Sequence, residues 1–167
     1  MNSERSAAEA TLTPVSPAIG GWADFLYRYG PYLAFAQALI AMLGSLYFSE
    51  VAGFVPCTLC WYQRILMYPL TIIILVGIIK QDEYLPGYVL PFSIIGLFVS
   101  LYHYLLQTTT LFSGSAFCKA GIPCNIRYIN WFGFVTIPFL ALTAFTVITI
   151  IMLATRWANQ RVEASSK

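Results

Sequence analysis

Residues 55–80 read VPCTLCWYQRILMYPLTIIILVGIIK. Between positions 56 and 79 the run carries one charge, Arg64, and it exceeds the about 20 mostly apolar residues that a membrane-crossing helix needs. Two cysteines, Cys57 and Cys60, stand at its start, and Arg64 follows four residues after the second. Free thiols, a structural disulfide, a metal site and a redox centre all fit the two cysteines alone, so the surroundings have to decide.

Three further stretches are long and apolar enough to span a membrane: residues 31–49, 88–107 and 130–155. The first and last carry no charge before Arg156, and the middle one contains His103, the chain's only histidine. Pro69, Pro91 and Pro138 fall in or near these spans. Proline is tolerated in membrane helices because neighbouring groups re-satisfy the freed backbone. The whole composition agrees with lipid as solvent: of 167 residues, 59% are hydrophobic and 10% charged, against about 25% charged in an ordinary soluble domain. A net charge of +2 points to no nucleic-acid partner.

The expected architecture is therefore an all-α integral membrane protein, a four-transmembrane-helix bundle. Residues 1–17 are polar and read as a disordered tail rather than a signal peptide. Residues 18–157 form the single membrane domain, and residues 158–167 form a C-terminal tail. Before the first span, Trp22, Phe25, Leu26 and Tyr29 recur at helical spacing, with Asp24 and Arg28 on the other side. That pattern suits a short interfacial helix, and a loop with chance spacing fits as well.

Four spans put both termini on one side, and basic residues choose which. Arg5, Arg28, Lys80, Arg156, Arg161 and Lys167 share the side of the termini, whereas the opposite loops hold only Lys119 and Arg127. Six against two places the termini in the cytoplasm. Tyr29, Tyr32, Trp61, Tyr62, Tyr84, Tyr88, Trp131 and Trp157 cluster near the proposed span ends, as interfacial aromatics do. All four cysteines, Cys57, Cys60, Cys118 and Cys124, then fall on the outer face, the side on which disulfides form and persist.

Pro56 suits an early helix position, which puts Cys57 and Cys60 in the first turns of the second span. A helix N-terminus and a nearby arginine both favour a reactive thiolate. Cys57, Cys60 and Arg64 share one helix stripe, with Arg64 about 10 Å below Cys57 along the axis. Arg64 either snorkels to the outer headgroups or binds an anionic or carbonyl-bearing group beside Cys60. His103 lies about 6 Å from the outer end of its span, at a depth comparable to Arg64. It either satisfies a neighbouring carbonyl or completes a polar pocket with Arg64 under the thiols, to which Gln63 adds a hydrogen bond.

The second pair, CKAGIPC at residues 118–124, closes a ring of seven residues. A ring that small yields the lower end of the usual ~2–4 kcal/mol of disulfide stabilisation. An exposed bridge of this kind is better placed for exchange than for stapling, although a structural bridge fits too. A four-cysteine zinc site is disfavoured, because zinc ribbons use two tight Cys-x-x-Cys knuckles, and no metal site is expected. Haem attachment is excluded because Trp61, not histidine, follows the first pair.

CTLCWYQR at the start of a second span, a histidine in the third, a second outer cysteine pair and a fourth span together resemble the bacterial disulfide bond formation protein B (DsbB) family. The likeness covers about residues 31–155. The short CKAGIPC loop looks like the compact Bdb-type branch rather than the long-loop enterobacterial form, and Gln63 stands where a glutamate is frequent. The resemblance implies a thiol:quinone oxidoreductase in the bacterial cell membrane, multi-pass, with its cysteine loops extracytoplasmic. It implies that Cys118 is attacked by a soluble thioredoxin-like thiol oxidase of the DsbA or BdbD type. Cys124 would then attack Cys57, and Cys60 would pass two electrons to a quinone, ubiquinone or menaquinone. Arg64, with His103 and Gln63, would line the quinone site. A vitamin K epoxide reductase-like protein shares the quinone and CxxC logic, but there the CxxC lies on the last helix of the bundle. A membrane scaffold with two structural disulfides is the non-enzymatic alternative.

Overall fold

A computed structural model describes residues 21–109, 124, 128–129 and 134–165. The expected tail at 1–17, Cys118, Trp131 and the first residues of the expected fourth span lie outside the described residues. Among the described residues there are four α-helices: α1 (Gly21–Leu46), α2 (Thr58–Lys80), α3 (Leu85–Thr108) and α4 (Ile137–Ser165). Four stretches, Gly21–Val51, Thr58–Lys80, Leu85–Thr108 and Ile137–Ala164, are long and apolar enough to cross a membrane.

The segment read as an interfacial helix is helical and joins the first span without a break. Pro31 lies inside α1 and removes one backbone donor without ending the helix. At its far end α1 widens into a π-turn, Tyr47–Val51, where the Ala52 N–H reaches back five residues to the Tyr47 carbonyl at 3.0 Å. Gly53, at φ 69, then adopts the left-handed region that favours glycine and turns the chain toward Pro56. Helix α4 begins at Ile137, later than the apolar run suggests, and continues past residue 155. Pro138 thereby falls in the first turn, where its missing N–H costs nothing.

Helix α2 ends in a Schellman arrangement. Gln81 is left-handed at φ 50, its N–H bonds the Ile78 carbonyl, and the Asp82 N–H bonds the Gly77 carbonyl at 3.0 Å. The connection to α3 is too short for anything but an antiparallel neighbour. Asp82 organises it, accepting from the Tyr84 N–H at 2.9 Å and the Tyr88 hydroxyl at 2.7 Å. The Tyr88 hydroxyl first, and then the Tyr84 amide, hold the Asp82 carboxyl below the usual carboxylate range. Asn159 of α4 donates to the Glu83 carbonyl at 2.9 Å, and Tyr27 of α1 donates to the Glu83 carboxylate at 3.3 Å. All four helices are thus tied together at this end.

The helices form a ring in chain order, with α4 closing against α1. Ala34, Ala38, Leu70, Ile74, Val89, Phe145, Ile148 and Met152 fill its centre. Hydroxyls within the spans turn inward to their own helices: Thr71, Thr143, Thr146, Thr149 and Thr155 each donate to the carbonyl four residues earlier. That pairing meets the demand that no polar group face hydrocarbon unsatisfied.

Small residues set the helix spacing. Gly30 lies against Thr155, and a Cβ at Gly96 would overlap the Phe145 ring, which is fully buried. This permits a test with opposed signs. Helix propensity alone favours alanine over glycine by about 1 kcal/mol, whereas overpacking a filled core costs about 1–3 kcal/mol. Gly96→Ala is expected to lower the thermal unfolding midpoint in detergent. An unchanged or higher midpoint would show that α3 and α4 are not in the close contact described.

Candidate functional site

Pro56 and Cys57 open α2. Cys57 is the N-cap residue, in extended conformation at φ −73 and ψ 171, and its carbonyl accepts the Trp61 N–H at 3.1 Å. Its side chain makes no capping bond, which leaves the sulfur free to turn inward. One helical turn on, Cys60 brings its Sγ to 2.9 Å from Cys57 Sγ. Both are free thiols, and closing a disulfide of about 2.05 Å asks for less than 1 Å of movement.

Helix α3 delivers His103 against this pair, and His103 is 1% exposed. Its Nε2 lies 3.7 Å from Cys57 Sγ and 3.2 Å from the Cys124 carbonyl oxygen. Its Nδ1 lies 3.2 Å from Gln63 Nε2. With the Gln63 amide donating to Nδ1, the ring proton sits on Nε2 and is shared between the Cys57 sulfur and the Cys124 carbonyl. Gln107 also donates to that carbonyl, at 3.3 Å. Cys57, Leu59, Leu106 and Cys124 pack into one buried cluster, so Cys124 meets the Cys57/Cys60 pair at the end of the bundle.

The loop spacing suggests an exposed bridge, but Cys124, which is disulfide-bonded, is 2% exposed. Its burial follows from the two donors that hold its carbonyl over α3. A void of about 20 Å³ lies between Cys124 and the Cys57/Cys60 pair, lined by Cys57, Cys60, His103, Cys124 and Thr136 among others.

On the other side of Cys60 a larger cavity of about 370 Å³ opens between α1, α2 and α4, with Cys60, Gln63 and Arg64 in its wall. Its lining is mainly apolar, including Ile40, Ala41, Met67 and Leu140. Phe48, Phe54 and Tyr128 also line it and form an aromatic stack: the Phe54 and Tyr128 centroids are 5.0 Å apart at 16°, and those of Phe48 and Phe54 are 6.1 Å apart at 18°. Arg64 donates to the Ser45 carbonyl at 3.0 Å, and its guanidinium carbon lies 5.6 Å from the centroid of the Trp61 ring. Tyr68 adds a hydroxyl, 3.4 Å from Ser45 Oγ.

Arg64 and His103 therefore do not share one pocket under the thiols. Arg64 lines the large cavity, and His103 lines the small void. They point apart because α1 and the π-turn lie on one side of Cys60 and α3 on the other. Cys60 borders both spaces, and Gln63 connects them, lining the large cavity while bonding to His103. Sequence reasoning missed Ser45, Tyr68 and the aromatic stack. The cluster FSEVAGFVP at residues 48–56 carried the only visible hint, two phenylalanines beside a turn glycine.

Comparison with known proteins agrees with this arrangement. The family model described as "Disulfide bond formation protein DsbB" matches residues 27–155. The disulfide bond formation protein C of Bacillus subtilis is 58% identical over 121 residues, covering 72% of this chain and 88% of the relative. A probable disulfide formation protein C of Halalkalibacterium halodurans is 57% identical over 116 residues, 70% of this chain and 85% of the relative. A probable disulfide formation protein C 1 of Bacillus anthracis is 48% identical over 123 residues, 74% and 88% respectively. No solved structure matches the chain. Four apolar helices, a Cys57/Cys60 dithiol packed against Cys124 and these relatives agree: the chain is a multi-pass membrane oxidoreductase of disulfide bond formation, and it belongs to the DsbB family.

Proposed function

We propose that the protein reoxidises a soluble thioredoxin-like thiol oxidase on the extracytoplasmic side and delivers the electrons to a quinone in the membrane. The observation that supports this best is the position of Cys60, between the small void shared with Cys57 and Cys124 and the apolar cavity that holds Arg64.

A partner thiolate attacks Cys118 Sγ, the Cys118–Cys124 bond breaks, and Cys124 leaves as a thiolate. The partner's second thiol then resolves the mixed disulfide, so the partner gains a disulfide and the pair Cys118/Cys124 gains two electrons. Cys124 next attacks Cys57 Sγ of the oxidised Cys57–Cys60 pair and expels Cys60 as a thiolate. Cys118 closes back on Cys124, which leaves Cys57 and Cys60 reduced and the outer pair restored. The proton on His103 Nε2, shared between Cys57 and the Cys124 carbonyl, stabilises negative charge on the exchanging sulfur.

The large cavity fits a quinone by its chemistry. It lies within the range of about 300–1,000 Å³ usual for ligand pockets, its wall is apolar, its aromatic stack offers a flat face, and one guanidinium and one thiol face it. Arg64 would hold a carbonyl oxygen, while Phe54 and Tyr128 would bound the ring. A bound quinone supplies a two-electron, two-proton sink for the Cys57/Cys60 dithiol. Buried sulfur on one side and lipid-accessible space on the other keep the acceptor away from the partner's thiols.

The test uses the full chain in lipid nanodiscs with a reduced thioredoxin-like oxidase, under anaerobic conditions, with ubiquinone or menaquinone. Catalytic oxidation of the partner that requires a quinone is expected. Oxidation at the same rate without any quinone, or none with either, would refute the proposal.

A further inference from the structure

We propose that Cys57, Cys60 and His103, with the pair in its dithiol form, bind one soft, tetrahedrally coordinated divalent cation of the zinc group. The donor set differs from the four-cysteine site that the sequence argues against, because it takes two sulfurs from the start of α2 and one nitrogen from α3.

The three ligand atoms lie within 4.8 Å of one another. Bond lengths of about 2.3 Å to sulfur and 2.0–2.1 Å to nitrogen put the donors of a tetrahedral site about 3.5–3.8 Å apart. The 3.7 Å between Cys57 Sγ and His103 Nε2 already meets that spacing. The 2.9 Å between the two sulfurs must widen by about 0.9 Å to reach it, and one side-chain rotation of the half-buried Cys60 provides that. Cys57 and His103 are buried, so their sulfur and nitrogen need displace little water to bind.

Two neighbours suit the bound state. To ligate through Nε2, His103 must move its proton to Nδ1. Gln63 accommodates the change by turning its amide, so that the oxygen accepts where the NH₂ had donated. The Cys124 carbonyl loses its bond from His103 but keeps the one from Gln107. The fourth position falls toward the void of about 20 Å³ beside the three donors, enough for one water. Thr136 lines that void, is 2% exposed, and its hydroxyl has no hydrogen-bond partner among the described residues. A metal-bound water would give it one.

Binding replaces two S–H protons, which are released, by two metal–sulfur bonds, and no electron moves. The ion and the Cys57–Cys60 disulfide exclude each other, since both use the same sulfur valence. A bound cation therefore holds the pair reduced.

The experiment uses the full chain with Cys118 and Cys124 both replaced by alanine, reduced with a phosphine and titrated with Co²⁺ alone. One Co²⁺ per chain is expected, with the visible spectrum of a tetrahedral site and a thiolate charge-transfer band, and prior oxidation of the pair should abolish both. His103→Ala should weaken binding by about tenfold or more. If the double variant does not fold, the intact reduced chain is titrated with and without His103→Ala, and the difference reports the same site. Absence of the tetrahedral spectrum, or equal affinity without the imidazole, would overturn the proposal. Neither readout involves quinone or partner, so the result stands apart from that of the turnover assay.

Discussion

Replacing Cys60 with serine is expected to lower quinone-coupled oxidation of the partner about a thousandfold or more, the scale on which removal of an essential nucleophile acts. Serine is nearly isosteric, so the helix start, the Cys57 N-cap and the cavity wall remain. What disappears is, among the described residues, the only sulfur that borders both the void beside Cys124 and the apolar cavity beside Arg64. Cys57 then has no neighbour on its own helix with which to close a disulfide. The variant should accumulate a bond between Cys57 and Cys124, visible by mass spectrometry of the non-reduced protein. Full turnover in Cys60→Ser would mean that electrons leave by another route.

Arg64→Met is the second large effect. Methionine matches the length of the stem and suits lipid better. An arginine at the centre of a span costs about 2.5–3.5 kcal/mol by insertion scales, and less toward the edge. The variant should therefore fold at least as well. Its turnover should nonetheless fall about a hundredfold, the usual loss when one preorganised donor to a developing oxyanion is removed. The quinone concentration giving half-maximal rate should rise as well. Arg64→Lys should recover only part, since an ammonium lacks the planar fork and the stacking on Trp61. Unchanged quinone kinetics in Arg64→Met would assign the guanidinium to holding the Ser45 carbonyl, a structural clamp between α1 and α2.

The spans, and the placing of the cysteine pair at a helix start, were legible because lipid imposes a single requirement, about 20 apolar residues, on every crossing segment. Helix ends were less so. The run AIGGWADFLYRYGP at residues 18–31 looks interrupted by glycine and proline, yet Pro31 sits inside α1 because packing on α4 overrides local propensity. The apolar stretch from residue 130 looks continuous, but helix α4 begins at Ile137, with Pro138 in its first turn. Past residue 155, Trp157 and Arg161 pair four apart, with the guanidinium carbon 5.0 Å from the centroid of the indole ring, and carry α4 beyond the apolar segment.

Within the site, residue types were readable and relations between helices were not. Arg64 and His103 sit at similar depths, but depth says nothing about azimuth, and they face opposite sides of Cys60. Ser45 serves through its backbone carbonyl, which no side-chain pattern announces. The burial of Cys124 depends on two donors from α3, His103 and Gln107, that lie far from it in the chain.

On the proposed route two electrons cross from the Cys118/Cys124 pair through Cys57 and Cys60 to a quinone. Its most direct test is an anaerobic stoichiometry in nanodiscs, counting partner disulfides formed and hydroquinone produced in the same reaction. One hydroquinone for each partner disulfide is predicted, with both products lost together in Cys60→Ser. Partner disulfides formed without matching hydroquinone would contradict the account.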